Sequence, residues 1–120
     1  MRPQLPTIRQ GLVLLFGLAL VKVPALLWAQ TSSVPAAARQ RELVHLVRED
    51  CGSCHGRTLK GGLGPSLLPE DLRDLPPEAL RETILRGRKG TAMPPWQQFL
   101  SEAEAAWIVE KLQEGFPDVQ

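Results

Sequence analysis

The chain has 120 residues, of which 14 are lysine or arginine and 13 are aspartate or glutamate, giving a formal charge of +1 at pH 7. This near balance argues against general nucleic-acid binding, which needs a strongly basic face, and the length favours a single domain. The sequence shows no internal repeat and no low-complexity tract, which argues against repeat architectures.

The N-terminal segment has the features of a secretory signal peptide. Arg2 and Arg9 form a positively charged start, and Gly11–Val21 is an apolar run. We expect residues 1–29 to be a signal peptide that directs the rest of the chain across a membrane. An uncleaved membrane anchor is the alternative, because the apolar stretch is close to the roughly 20 residues that span a bilayer, although Lys22 interrupts it.

The remainder divides into a flexible lead-in, residues 30–38, and a functional domain, residues 39–120. Without the three basic residues of the signal segment, 11 basic residues face 13 acidic ones, a formal charge of −2. A domain this small buries a modest core and often depends on a disulfide, metal or cofactor. A disulfide between Cys51 and Cys54 would close a tiny loop and constrain little, so we expect another stabilising group.

Three main helices are predicted in this domain. The first covers Arg39–Asp50, where apolar residues follow the i, i+3, i+4 spacing of one helical face. The second begins at Pro77 and is stopped by Gly87, because proline is favoured at the first helical position and glycine ends a helix. The third begins with a capping box at Ser101–Glu104 and ends at Gly115. Since no stretch shows the alternating pattern of a strand, the domain is predicted to be all-α.

Long loops rich in glycine and proline join these helices. Arg57–Leu68 and Gly90–Trp96 are predicted to be loops, and Pro69–Leu72 adds one or two helical turns. Loops of this length are unusual in a compact domain unless they hold something. We therefore expect them to surround a bound group.

The segment Cys51-Gly-Ser-Cys-His55 is compatible with three kinds of site. A dithiol oxidoreductase places Cys-x-x-Cys at a strand-to-helix turn, and this chain shows no strand pattern. A structural zinc site takes four ligands, whereas the only further candidates are His45 and His55, both close to the thiols in sequence. Cys-x-x-Cys-His is also the attachment pattern of c-type haem, and an exported chain with no other cysteines favours that interpretation.

The chemistry of haem attachment explains each position of this motif. The thiols of Cys51 and Cys54 would add to the two vinyl groups at one edge of the porphyrin, and His55 would lie beneath the iron as an axial ligand. A ligating histidine usually donates its other ring N–H to a carbonyl or carboxylate, and the Pro65 carbonyl is the predicted acceptor. An ordinary turn is the alternative for that stretch. The buried porphyrin would also supply apolar area that a small domain lacks.

Met93 is the candidate for the second axial ligand. It is the only methionine besides the initiator, and it precedes the stiff pair Pro94–Pro95 in a loop. The alternative is a methionine that fills a gap in the core, which has no reason to lie in such a loop. His45 is a weaker candidate, because it lies on the helix that leads into the attachment site and is better interpreted as solvated or core-packed. The sequence leaves Lys60 and Lys89 open as ligands.

The pattern over residues 40–116 resembles the class I, single-haem c-type cytochromes. That family has an N-terminal helix ending in Cys-x-x-Cys-His, a Gly-Pro-x-Leu stretch, a methionine loop and a C-terminal helix that crosses the first. The matching positions here are Cys51, Cys54, His55, Gly64–Leu67, Met93 and the helix after Ser101. The resemblance implies a cytochrome c-like fold of three main helices and long loops around one covalent haem c, with His55 and Met93 as the iron ligands.

The stretch "CGSCHGRTLKGGLGPSLLPEDL" followed by "ILRGRKGTAMPPW" is similar to small cytochromes encoded in nitrite-reductase gene clusters of denitrifying bacteria. This narrower resemblance implies a monomeric periplasmic electron carrier, not an enzyme, that serves cytochrome cd1 nitrite reductase or the maturation of its haem d1. The alternatives are a haem d1 assembly factor without a role in turnover and a peroxidase-like enzyme with an open iron position. We expect no nucleic-acid partner, and membrane contact only if the signal segment stays uncleaved.

A basic group lies just before the methionine loop and consists of Arg81, Arg86, Arg88 and Lys89. We expect these side chains to surround an exposed haem edge and to steer an acidic partner, an effect on the association rate that salt weakens. A solvated helix face and loop is the alternative interpretation.

Overall fold

The computed structural model describes residues 34–118. The predicted signal peptide, residues 1–29, and the first part of the predicted lead-in lie outside this range. Within it the chain is helical and has no strand, so the all-α prediction is confirmed for the part that the structure describes. Each helix in residues 34–118 is too short or too polar to cross a bilayer.

The first helix carries the cysteine motif at its end. It is α-helical over α1 (Ala37–Leu46), passes through one π-helical turn (Val47–Cys51) and returns to α-helix in α2 (Gly52–His55). It begins at Ala37 rather than at the predicted Arg39, because alanine has the highest helix propensity. It also extends beyond the predicted end at Asp50, so that both thiols and the histidine belong to one helical segment.

Three further helices follow: α3 (Pro69–Leu72), α4 (Pro77–Arg86) and α5 (Glu102–Glu114). Both α3 and α4 open with proline, whose missing N–H is not needed at that position. The predicted capping box is present, since the Glu104 N–H donates to Ser101 Oγ (3.2 Å) and the Ser101 N–H donates to Glu104 Oε2 (2.7 Å). Gly87 (φ +69°) and Gly115 (φ +119°) end α4 and α5 in conformations that side chains disfavour.

The hydrophobic core joins the first helix to the last. Leu43 and Val47 are fully buried and belong to one apolar cluster with Ala105, Ile108 and Leu112 of α5. Burial of each large aliphatic side chain stabilises the fold by roughly 1.5–3 kcal/mol. Helices α3 and α4 also pack on α5, so the C-terminal helix organises the whole domain.

An ion pair also joins α1 to α5. Arg39 Nε lies 2.5 Å from Glu104 Oε1, and Arg39 Nη1 lies 2.8 Å from Glu42 Oε2 on the next turn of α1. The hydrogen bond from Arg39 lowers the pKa of the Glu104 carboxyl below its usual value. The same carboxylate completes the capping box of α5, so one side chain both starts the last helix and attaches it to the first.

Candidate haem site

Both cysteines are free thiols at the end of the first helix. Cys51 is half-buried and Cys54 is exposed. Burial, followed by the negative charge of Asp50, raises the pKa of the Cys51 thiol to about 11, so the neutral thiol predominates at pH 7. Dithiol oxidoreductases instead lower the pKa of their attacking cysteine. The environment of Cys51 therefore disfavours the dithiol interpretation.

The imidazole of His55 is buried and held in one orientation. Its Nδ1 atom lies 2.7 Å from the carbonyl oxygen of Pro65, the acceptor that the sequence predicted. A carbonyl can only accept, so Nδ1 carries the proton and Nε2 is the nitrogen available to a metal. Gly64 lies against the ring, since a Cβ at this position would come within 2.8 Å of His55 Nδ1 and Cε1. The chain therefore fixes both the tautomer and the plane of the ring.

The loop after His55 folds back and caps the end of α2. The N–H groups of Gly61 and Gly64 donate to the carbonyls of His55 and Cys54, each at 2.8 Å, and so satisfy helix-end acceptors. Leu59, at the turn of this loop, has φ +60° although it is not glycine, and its side chain is buried in the core cluster. The segment that carries the histidine is thus held by backbone bonds as well as by packing.

The methionine loop is folded onto the end of α4. Arg88 N–H donates to the Met93 carbonyl (3.2 Å), and Met93 N–H donates to Thr91 Oγ1 (3.3 Å). A Cβ on Gly87 would come within 2.6 Å of the Met93 carbonyl oxygen, so the loop passes directly over this glycine. The Met93 side chain is half-buried, and among the described residues the apolar core cluster does not include it. This placement disfavours the interpretation of Met93 as a core gap-filler.

The donor set fits a c-type haem. It combines two free thiols on one helical segment with an imidazole and with a thioether on a separate loop. Because Nδ1 of the imidazole is hydrogen-bonded to the Pro65 carbonyl, Nε2 is the nitrogen available to the iron. No group of three or more histidine, cysteine, aspartate or glutamate side chains within residues 34–118 is placed to hold a metal ion. The structure therefore offers no support for the zinc interpretation in that part of the chain.

The basic group before the methionine loop is smaller than predicted. Arg81 is half-buried and faces Glu102 of α5 at 3.4 Å, so it braces α4 against α5 and does not belong to a free basic surface. Arg86 is exposed but pairs with a glutamate one turn earlier on α4, at 2.8 Å. Arg88 and Lys89 are exposed in the loop itself. Unlike Arg86, these two exposed side chains form no ion pair with a residue that the structure describes.

Two glycines shape the site: Gly64, which belongs to the stretch singled out in the sequence, and Gly87, which the sequence predicts only as the end of a helix. Gly64 lies against the His55 ring, and Gly87 lies against the backbone of Met93. The contact between Gly87 and Met93 could not be predicted, because only the position of Gly87 directly after a helix is visible in the sequence. His45 and Lys60, weighed as rival ligands, are exposed. The interpretation of His45 as a solvated side chain therefore agrees with its position on α1.

Comparison with known proteins gives a consistent result. Residues 38–110 match the family described as cytochrome c oxidase, cbb3-type, subunit III. The chain is 57% identical over 81 residues to cytochrome c55X of Pseudomonas aeruginosa, and the aligned region covers 68% of each protein. The solved structure of the c-type cytochrome NirC superposes with a TM-score of 0.67 at 55% identity, covering 68% of this chain and 96% of that one.

A further similarity is to part of a much longer protein. The chain is 40% identical over 103 residues to dihydro-heme d1 dehydrogenase of Pseudomonas aeruginosa. The match covers 86% of this chain but 19% of that protein. It therefore relates this chain to about one fifth of the dehydrogenase and leaves the other part of that protein without a counterpart here.

Proposed function

The chain belongs to the c-type cytochrome family, and on that premise we propose that it is a periplasmic electron carrier in which His55 and Met93 are the axial ligands of one covalent haem c. Cys51 and Cys54 hold the haem through thioether bonds. The observation that carries the proposal is the orientation of His55, whose Nδ1 bonds the Pro65 carbonyl at 2.7 Å and whose ring lies against Gly64. An orientation of this kind is typical of a ligating histidine.

The bound haem supplies a one-electron couple between Fe(II) and Fe(III). The Pro65 carbonyl accepts the Nδ1 proton, which makes the imidazole a stronger donor through Nε2. The Met93 thioether, as an iron ligand, would favour the reduced state and so raise the potential. With His55 and Met93 both bound, the iron would have no free position for a substrate, and one electron would pass to or from a partner protein with no atom transferred. On this proposal the protein is an electron carrier and not an enzyme.

The similarity to cytochrome c55X and to NirC supports the proposal that this carrier serves the nitrite-reductase system. The first role that we propose is electron delivery to cytochrome cd1 nitrite reductase. The 40% identity to dihydro-heme d1 dehydrogenase supports a second role in haem d1 maturation. A dehydrogenation releases two electrons and two protons, so a one-electron carrier would have to accept electrons twice in each reaction.

Expression with a cytochrome c maturation system tests the first step of this proposal. The mature chain should appear in the periplasmic fraction with one covalent haem c, and the oxidised protein should show the weak red charge-transfer band of a methionine–iron(III) bond. Met93→Ala should lose that band while keeping the haem. A chain without covalent haem, or a wild-type protein that readily binds peroxide at the iron, would contradict the proposal.

Two further measurements separate the roles. Stopped-flow oxidation of the reduced protein by purified cytochrome cd1 nitrite reductase should be fast if the protein delivers electrons for turnover. Deletion of the gene should leave the haem d1 content of the reductase unchanged in that case. A reductase that lacks haem d1 in the deletion strain, together with slow electron transfer in vitro, would favour the maturation role.

A further inference from the structure

Arg48 joins three separate segments of the chain behind the cysteine motif. Its side chain is 14% exposed, although it carries a full charge. One nitrogen, Nη1, donates to the carbonyl of Arg57 at 3.2 Å. The other, Nη2, donates to three oxygens of the C-terminal tail: the carbonyls of Phe116 (2.9 Å) and Pro117 (3.0 Å) and the Asp118 carboxylate (3.2 Å). The planar guanidinium suits such simultaneous bonding, which the ammonium of lysine cannot reproduce.

These contacts surround the haem-attachment motif in sequence. Arg48 belongs to the π-helical turn that ends at Cys51, whereas Arg57 comes two residues after His55. A π-helical turn inserted in an α-helix is rare and is found frequently at functional sites. By binding the Arg57 carbonyl, Arg48 links the residues before the motif to those after it.

The tail that receives Arg48 is itself anchored to the last helix. The guanidinium carbon lies 5.6 Å from the centre of the Phe116 ring. That ring makes an edge-to-face contact with Trp107 of α5, with centroids 6.5 Å apart. Trp107 is buried in the core cluster. The contacts of Arg48 therefore extend from the motif, through the tail, to the C-terminal helix.

We propose that Arg48 is a positioning residue that holds the segment from Cys51 to Arg57 against the C-terminal tail and thereby sets the orientation of the His55 ring. The inference rests on the proposed ligation of iron by His55. The path is short: Arg48 fixes the Arg57 carbonyl, and the loop that starts there supplies Gly61 to the His55 carbonyl and Pro65 to the His55 ring. A shift of Arg57 would therefore reach the histidine from both its backbone and its ring.

Three holoprotein variants test this role: Arg48→Met, Arg48→Lys and, as a control, Arg41→Met, which changes an exposed arginine of α1. The hyperfine-shifted haem methyl resonances of the oxidised protein report the plane of the axial histidine. Amide hydrogen exchange at Gly61 reports the bond to the His55 carbonyl. Arg48→Met should change the methyl pattern and speed Gly61 exchange by about tenfold, the effect of one lost charge-assisted hydrogen bond.

The other variants sharpen the interpretation. Arg48→Lys should show the same changes to a smaller extent, because one ammonium cannot serve both Arg57 and the tail, and it provides a second reading if Arg48→Met does not fold. Arg41→Met should match the wild type. An unchanged methyl pattern in both Arg48 variants would overturn the proposal, even with faster exchange or a lower melting temperature, because Arg48 would then be only a stabilising residue.

The experiment also separates this inference from the proposed function. All variants are first matched for covalent haem content and for the red methionine–iron band. A wild-type protein without covalent haem and without the red band would refute the proposed function itself. A wild-type protein with covalent haem and the red band, together with a haem methyl pattern that neither Arg48 variant changes, would refute the positioning role alone.

Discussion

Gly64 lies so close to His55 that a single added methyl group would come within 2.8 Å of the imidazole Nδ1 and Cε1 atoms. The residue that follows Gly64 supplies the carbonyl that orients the same ring, at 2.7 Å. Two consecutive residues of one loop therefore set the position of the histidine, one through contact and the other through a hydrogen bond.

Gly64→Ala should displace the His55 ring. Because the new methyl group cannot fit, the ring or the loop must move, and overpacking of this kind typically costs about 1–3 kcal/mol. We expect a lower free energy of unfolding of the holoprotein in guanidinium and an altered absorption spectrum of the oxidised haem. Lys60→Ala, an exposed position in the same loop, is the control and should alter neither. A Gly64→Ala protein with wild-type stability and spectrum would contradict this account of the ring.

Gly87→Ala should disturb iron ligation by Met93 without changing the methionine. Gly87 has φ +69°, and a Cβ there would come within 2.6 Å of the Met93 carbonyl oxygen, an atom of the backbone that cannot rotate away. We expect the red methionine–iron band to weaken or disappear. Gly90→Ala is a matched control, because Gly90 has φ +80° but nothing within 4 Å of the added Cβ. It should cost roughly 1 kcal/mol of stability through backbone strain and keep the band.

The features that the sequence predicted correctly depend on local chemistry. The capping box follows from the spacing of Ser101 and Glu104, and the bond between His55 and Pro65 follows from what a ligating histidine requires of a nearby loop. The role of Arg48 had no such signal, because its acceptor Phe116 lies 68 residues away.

Features decided by packing could not be predicted either. The π-helical turn before the motif has no composition of its own, and Leu59 adopts φ +60° because its burial in the core stabilises a conformation that leucine alone disfavours. The basic group was overestimated for a similar reason. The position of Arg81 against Glu102 depends on how α4 packs on α5, which a single sequence does not reveal.

Glu104→Gln should weaken the contact between α1 and α5 in a pH-dependent way. The hydrogen bond from Arg39 lowers the pKa of the Glu104 carboxyl below its usual 4.5, so its contribution is complete above that value and is lost as pH falls through the folded-state pKa. Arg39 is about one-third exposed, so solvent screening limits the cost near pH 7 to about 0.5–1 kcal/mol. Glutamine can still complete the capping box. Urea unfolding over a series of pH values from 7 downward should show the full cost at pH 7 and a cost that shrinks only once pH has fallen below 4.5; an equal cost throughout would contradict it.

Removal of the haem should leave the chain without a cooperative fold. The core that α1 and α5 share is small, and a domain of this length often depends on a covalent or bound group for its stability. Cys51→Ala combined with Cys54→Ala prevents thioether attachment. We expect its circular dichroism to show reduced helix content and no cooperative thermal transition, in contrast to Ser53→Ala, which keeps both thiols. A sharp transition in the double variant would show that the polypeptide alone is sufficient.

Charge reversal at Arg88 and Lys89 should slow electron transfer to an acidic partner. These two side chains are exposed in the methionine loop. Exposed charges act mainly on the association rate, and salt screens them, since the Debye length is about 10 Å at 0.1 M. Arg88→Glu with Lys89→Glu should lower the second-order rate constant with cytochrome cd1 nitrite reductase at low ionic strength by about tenfold or more. The two rates should converge as salt is added. Arg73→Glu, an exposed reversal after α3, controls for net charge and should have a smaller effect. Equal slowing by Arg73→Glu, or a deficit that persists at high salt, would show that the loop charges do not steer the partner.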